Sequence, residues 1–367
     1  LYPGNKYTIS GYGFGYKTPA EPVLWDTISN QEAYNGLTHG DTIPAGYGYP
    51  WAANGMLADP NDDNVKYWDQ NNRVNGRSHY YVEDIGFLAG RDLGEMDPKE
   101  LYINWWFKVD KDIYELPVGE TCYTEDQTFV NDLKTRILRV WPRYDSNGYL
   151  RYGLINLEGS RLGRGATSGE VSPPCVIHDS YDYPEYDYFN WDDAAEEGEW
   201  HNLEMFVDSN DYDRGVGEIY AKTDGLVMYE GSNFCSGSPN NLLRAIGVIP
   251  DHPECFDQIY GEPLRAEYSE IYVDKSIAKI FICDVPTWGE RPGAHCEIQI
   301  PETHWGEDSI QFRANRGSHR VAQPLYLYVV GTSGAVNQAG YPISFTKSLP
   351  GEHVEVMETP IGDDFPP

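Results

Sequence analysis

Bases are scarce in this chain of 367 residues: 27 Lys and Arg face 58 Asp and Glu, a formal charge of −31. A surface so acidic repels phosphate backbones and anionic lipid headgroups, which excludes nucleic acid and membrane surfaces as partners. No apolar run approaches the roughly 20 residues that span a bilayer, so no membrane insertion is expected. Helical periodicity is nearly absent. There is no CxxC pair, so zinc is not expected, and His178, His201, His252, His295 and His304 are scattered without ligand spacing. GxSxG, a phosphate-binding glycine loop, HExxH and Asn-x-Ser/Thr are all missing, and no catalytic residue can be assigned from motifs. No cofactor is implied with certainty.

What the chain does have is aromatic mass, with 10 Trp, 29 Tyr and 12 Phe, enough to build a core despite the acidity. Short runs rich in Tyr, Val, Ile and Trp recur between Gly, Pro, Asn and Asp clusters, which predicts an all-β fold. Strands are expected near 6 to 10, 79 to 83, 101 to 109, 135 to 141, 149 to 157, 200 to 207, 217 to 222, 243 to 249, 266 to 273, 277 to 282, 296 to 300, 309 to 314 and 325 to 330. Leu203, Met205 and Val207 alternate with Asn202, Glu204, Phe206 and Asp208, and Ile103, Trp105, Phe107 and Val109 alternate with Tyr102, Asn104, Trp106 and Lys108. In each strand the first set should face a core. The second set in 102 to 108 is expected to line a groove, and Glu204 and Asp208 read as surface carboxylates.

Six cysteines, an even number, predict disulfides and an oxidising, extracellular location. Pairing near neighbours gives Cys283 with Cys296 and Cys235 with Cys255, leaving Cys122 with Cys175. The chain opens on Leu1 with no basic segment followed by an apolar one, as expected where a signal peptide has been removed or left out. A secreted, extracellular or cell-surface protein is the resulting expectation.

Charge is unevenly spread. Lys134 to Arg164 holds seven bases and two acids, whereas Asp179 to Glu199 holds nine acids and no base. Such opposition can steer an acidic partner, or a neighbouring copy, onto the basic strip. Arg139, Trp141 and Arg143, with Tyr152, are the candidate glycan-binding residues, because guanidinium forks beside a stacking ring suit an acidic sugar. A polysaccharide lyase would need a Tyr or His base and a neutralising cation, for which Arg139, Tyr152 and His201 are available. The acidic segments at 59 to 64, 179 to 199 and 208 to 213 offer oxygen ligands for calcium, although solvated turn chemistry accounts for them better. The metal question stays open.

TISGYGFG at the start, with IAKIFICD, CEIQIPETHW and PLYLYVVGTSGAVNQAGYPI near the end, resembles the first and last strands of an IPT/TIG immunoglobulin-like domain. LYINWWFKV, RILRVW, WHNLEMFVD, VGEIYAKTDG and EYSEIYVD resemble the concanavalin A-like jelly roll of laminin-G domains and polysaccharide lyases. The block order is similar to uncharacterised secreted bacterial proteins, some of whose relatives build extracellular fibrils. The resemblance implies a jelly roll at 23 to 274 inserted into an immunoglobulin-like sandwich formed by 1 to 22 plus 275 to 346, with an acidic tail at 347 to 367. It leads to a structural subunit of an extracellular bacterial fibre, polymerising with copies of itself by a terminal strand that completes a neighbour's sheet. Tyr7, Thr8 and Ile9, with Val354 and Val356, are the candidate assembly strands. The alternatives are a carbohydrate-binding or adhesion module, or a lyase acting on acidic glycans.

Overall fold

The computed structural model describes residues 1–44, 51, 65–83, 86–92, 100–110, 122–123, 129–130, 135–141, 155–159, 169–171, 198–208, 217–234, 242–250, 261, 265–346 and 356–358. In these the chain is all-β, with short 3-10 turns at Glu32–Tyr34 and Trp288–Glu290. No helix among the described residues is long and apolar enough to cross a membrane. The strands run β1 (Lys6–Ser10), β2 (Leu24–Asp26), β3 (Val65–Trp68), β4 (His79–Glu83), β5 (Gly86–Asp92), β6 (Glu100–Val109), β7 (Cys122–Tyr123), β8 (Phe129–Val130), β9 (Thr135–Trp141), β10 (Ile155–Gly159), β11 (Gly169–Val171) and β12 (His201–Asp208). They continue as β13 (Gly217–Thr223), β14 (Leu226–Phe234), β15 (Leu242–Pro250), β16 (Arg265–Asp274), β17 (Lys279–Cys283), β18 (Cys296–Ile298), β19 (Ile300–Trp305), β20 (Ser309–Arg313), β21 (Leu325–Val330), β22 (Tyr341–Ile343) and β23 (Val356–Glu358).

The largest sheet has eight strands in the order β14-β13-β12-β6-β16-β4-β3, with β2 also on β16, and a five-stranded sheet runs β11-β10-β9-β15-β5. On the inward face of the large sheet Ile103, Trp105, Phe107, Leu203, Met205 and Tyr268 are 0–1% exposed. The alternation predicted for β6 and β12 thus places Ile103, Trp105, Phe107, Val109, Leu203 and Met205 in a core. Each fully buried large side chain there contributes about 1.5–3 kcal/mol of apolar transfer.

Two further four-stranded sheets, β19-β20-β1-β23 and β18-β17-β21-β22, draw strands from both ends of the chain. Between them lie Tyr7 and Ile9 of β1, Ile310 and Phe312 of β20, Ile280 and Ile282 of β17, and Leu325, Leu327 and Val329 of β21. β17 is buried on both faces. Its other face, Phe281 and Cys283, joins Tyr328, Cys296 and Ile298 in one cluster with Tyr102, Phe206 and Tyr272 of the large sheet. Consequently the small sandwich packs onto the outward face of the large sheet.

That packing corrects two sequence expectations. Tyr102, Asn104 and Trp106 do not line an open groove: they are 0%, 1% and 5% exposed. Glu204 is not a surface carboxylate but is 1% exposed. Period-2 alternation marks the two faces of a strand without saying what lies on each, and here both are covered. The Cys283–Cys296 disulfide is present, bridging directly opposed residues of β17 and β18. Cys175, Cys235 and Cys255, and the calcium candidates at 59 to 64 and 209 to 213, lie outside the described residues, as does 179 to 197.

Candidate functional site

One transverse row of the large sheet's outward face stays partly exposed. Register aligns Lys66 of β3 with Tyr81 of β4, Tyr81 with Glu267 of β16, and Glu267 with Lys108 of β6. Side chains at paired positions on one face are near neighbours, so four strands deliver a continuous line of polar and aromatic groups. Trp200, just before β12, extends the line: the Lys108 ammonium lies 5.4 Å from its ring centre. Lys66, Tyr81, Lys108 and Trp200 are all partly exposed.

Glu267 is the centre of the row. Its Oε1 is 2.7 Å from Lys108 Nζ and its Oε2 is 2.8 Å from His79 Nε2. Burial pushes its pKa up, but hydrogen bonding and charge from His79 and Lys108 outweigh that and hold the carboxyl below its ordinary value. Nδ1 of His79 faces Asn72 Oδ1 at 3.0 Å, and the Trp200 ring meets the imidazole edge-on at 5.6 Å. Toward β3, Trp68 stacks on Tyr81 with centroids 4.2 Å apart and planes 17° apart, and His39 packs against Trp68 at 3.9 Å. His39 in turn holds Asp69 Oδ1 at 2.8 Å. The site therefore offers stacked rings at one end, an indole at the other, and a Lys–Glu–His set between them.

Deeper on the same face, charged groups are locked by packing. The Arg73 guanidinium sits 4.0 Å from the Trp106 ring centre, against whose ring His295 stacks at 5.2 Å. Arg73 pairs with both Glu270 and Glu297, and Arg77 pairs with Glu270 as well. Further in, Arg291 Nη2 is 2.7 Å from Glu204 Oε1, and Tyr102 donates to Glu204 Oε2 at 2.6 Å. Burial alone would raise the Glu204 pKa, yet Arg291, Lys222, Lys279 and the Tyr102 hydroxyl bring it down to about 2. Lys279, buried over the Tyr102 ring and donating to the Tyr220 hydroxyl at 2.9 Å, is pushed down to about 7 by desolvation. These groups fasten the small sandwich to the sheet.

The residues singled out from sequence fall elsewhere. Arg139 and Trp141 belong to β9 in the five-stranded sheet, while Arg143, Tyr152 and Val354 lie outside the described residues. His201, next to Trp200 in sequence and paired with Phe107, is bound to Asp224, Nδ1 to Oδ2, at 2.7 Å. Tyr7, Thr8 and Ile9 are in β1, and Thr8 pairs in parallel with Val356 of β23. Lys108 was legible as the end of the alternating set in β6. Lys66, Trp68, His79, Tyr81, Trp200 and Glu267 were not singled out; the aromatic pairs in VKYW and HYYVE are the signal that could have found them.

No family model and no curated protein sequence matches the chain. Among solved structures it is similar to an endo-β-1,4-glucuronan lyase from Trichoderma reesei, 11% identical over 74% of this chain and 95% of that one, with a TM-score of 0.31. A PL-14 alginate lyase from Aplysia kurodai is 7% identical over 74% and 99%, with a TM-score of 0.35. A GH131 β-glucanase catalytic domain from Podospora anserina is 12% identical over 68% and 91%, with a TM-score of 0.29. At these scores the likeness assigns no activity.

Proposed function

We propose that this chain is a secreted polysaccharide-binding protein that holds an acidic glycan along the open row of its large sheet. The observation that carries this reading is the alignment of Lys66, Tyr81, Glu267, Lys108 and Trp200 across neighbouring strands, flanked by the Trp68–Tyr81 stack. Flat aromatic faces bind the apolar faces of sugar rings, and the two lysines suit carboxylates or sulfates along the chain. The disulfide fits an oxidising compartment. Affinity electrophoresis in gels containing alginate, polygalacturonate or chondroitin sulfate tests it: retarded migration in at least one is expected, and unretarded migration in all three overturns the reading. Absorbance of unsaturated products during the same incubation would move the assignment from binding to lyase chemistry.

A second reading is favoured by one separate observation. β23 adds in parallel to the free edge of β1, with Thr8 opposite Val356, Ile9 opposite Met357 and Ser10 opposite Glu358. A strand paired along a sheet edge can leave its own sheet and complete a neighbour's, giving directional polymers of an extracellular fibre. Under this reading 1 to 22 with 275 to 346 form the receiving immunoglobulin-like domain, and 23 to 274 the displayed jelly roll. Electron microscopy of concentrated protein, with a Thr8→Pro variant as the control, tests it. Filaments that the variant lacks support assembly, and monomers throughout contradict it.

A further inference from the structure

Lys17 lies on the connection that leads from β1 to β2 of the large sheet, and Asp274 is the last residue of β16, just before the chain returns to β17. They are 257 residues apart in sequence, yet Lys17 Nζ is in direct contact with Asp274 Oδ2. Both side chains are 4% exposed. The Trp305 ring centre is 5.3 Å from Nζ, and Trp305 and Ala20 belong to the adjoining core.

We propose that Lys17 and Asp274 join in an intramolecular isopeptide bond, Nζ to Cγ. A buried ion pair loses the hydration of both charges, so proton transfer from ammonium to carboxylate leaves a neutral amine against a neutral acid, the reactive pair for amide formation. Burial acts on both partners in that direction: it lowers the Lys17 pKa and raises that of Asp274, against the attraction between them. The remaining contacts fall where the reaction needs them. The backbone N–H of Lys275 donates to Asp274 Oδ1 at 2.7 Å, where negative charge develops when Nζ adds to Cγ. The Tyr272 hydroxyl donates to Oδ2 at 2.6 Å, the oxygen that must leave. Ala20 carbonyl accepts from Nζ at 2.8 Å and orients the amine.

The step balances without an external reagent. The Nζ lone pair forms a bond to Cγ, the Cγ–Oδ2 bond breaks, and Oδ2 departs as water. One of its protons is delivered through the Tyr272 hydroxyl, which is restored by a proton from Nζ. Nothing is oxidised or reduced. The product ties together the two connections between the small sandwich and the large sheet, so both crossings are fixed by one covalent link.

Intact-mass spectrometry of the reduced, denatured full-length chain tests the proposal. The expected mass is one water below that of the sequence, with proteolysis releasing a branched peptide that joins the Lys17 and Asp274 segments. A mass equal to the sequence, with both segments recovered as linear peptides, overturns it. Lys17→Met should restore the full mass; a variant still short of one water places the loss elsewhere and also overturns the assignment. The mass and branched peptide of the unaltered chain decide the proposal whether or not the variant folds.

Discussion

Removing Arg291 should unfasten the small sandwich from the large sheet. Glu204 is 1% exposed, and its carboxyl is held from the ordinary 4.5 down to about 2 by Arg291, Lys222, Lys279 and Tyr102, against the opposing effect of burial. At about 1.4 kcal/mol per pH unit of displacement, its ionised form stabilises the fold by about 3 kcal/mol. The pKa is depressed on folding, so this contribution is complete above about pH 4.5 and is lost as pH falls toward 2. Arg291→Met leaves the carboxylate buried without its main partner and should cost about 3–5 kcal/mol near neutrality. The difference from the unaltered chain should shrink as pH falls below about 4.5, because there the unfolded chain binds a proton at Glu204 that the folded unaltered chain does not. Urea denaturation of both proteins at several values between pH 7 and 3 measures this directly. A loss below about 1 kcal/mol, or one independent of pH, would refute the reasoning.

Three further outcomes follow from the same packing. Desolvation pushes Lys279 down to about 7 from 10.5, so the unfolded chain binds the extra proton between these values and stability should rise with pH across that window; Lys279→Met should flatten the rise in denaturation midpoints. Gly317→Ala places a Cβ 1.9 Å from the Glu297 carboxyl carbon at a φ of +53°, so it should displace Glu297 from Arg73 and lower the melting temperature by several degrees. Replacing Cys283 and Cys296 by Ala removes a link of sequence separation 13 and should cost about 3 kcal/mol, read by denaturation under non-reducing conditions.

The parts legible in the sequence were those set by short-range pattern. β6 and β12 announced themselves by strict alternation, and near-neighbour spacing identified Cys283–Cys296. The open row was hidden for two physical reasons. First, its members come from four strands that meet only through sheet register, which single-strand periodicity does not encode. Second, β16 carries an irregularity between Ser269 and Tyr272, with Glu270 at a φ of +52°, which changes which alternate residues face outward. Glu267 and Ser269 precede the shift and Tyr272 follows it, so no fixed period of two connects them. Glu204 misled for a related reason: its polar side faces Arg291, which the fold supplies from the small sandwich.

Calorimetric titration of an acidic polysaccharide that retards the protein into the Trp68→Ala, Tyr81→Ala double variant tests the central claim most directly, with an Arg139→Ala, Trp141→Ala double variant alongside. The account predicts that losing the two stacked rings weakens binding at least tenfold, about 1.4 kcal/mol, while the β9 variant binds as the unaltered chain does. Unchanged binding in the first variant with loss in the second would contradict it and move the glycan to the five-stranded sheet.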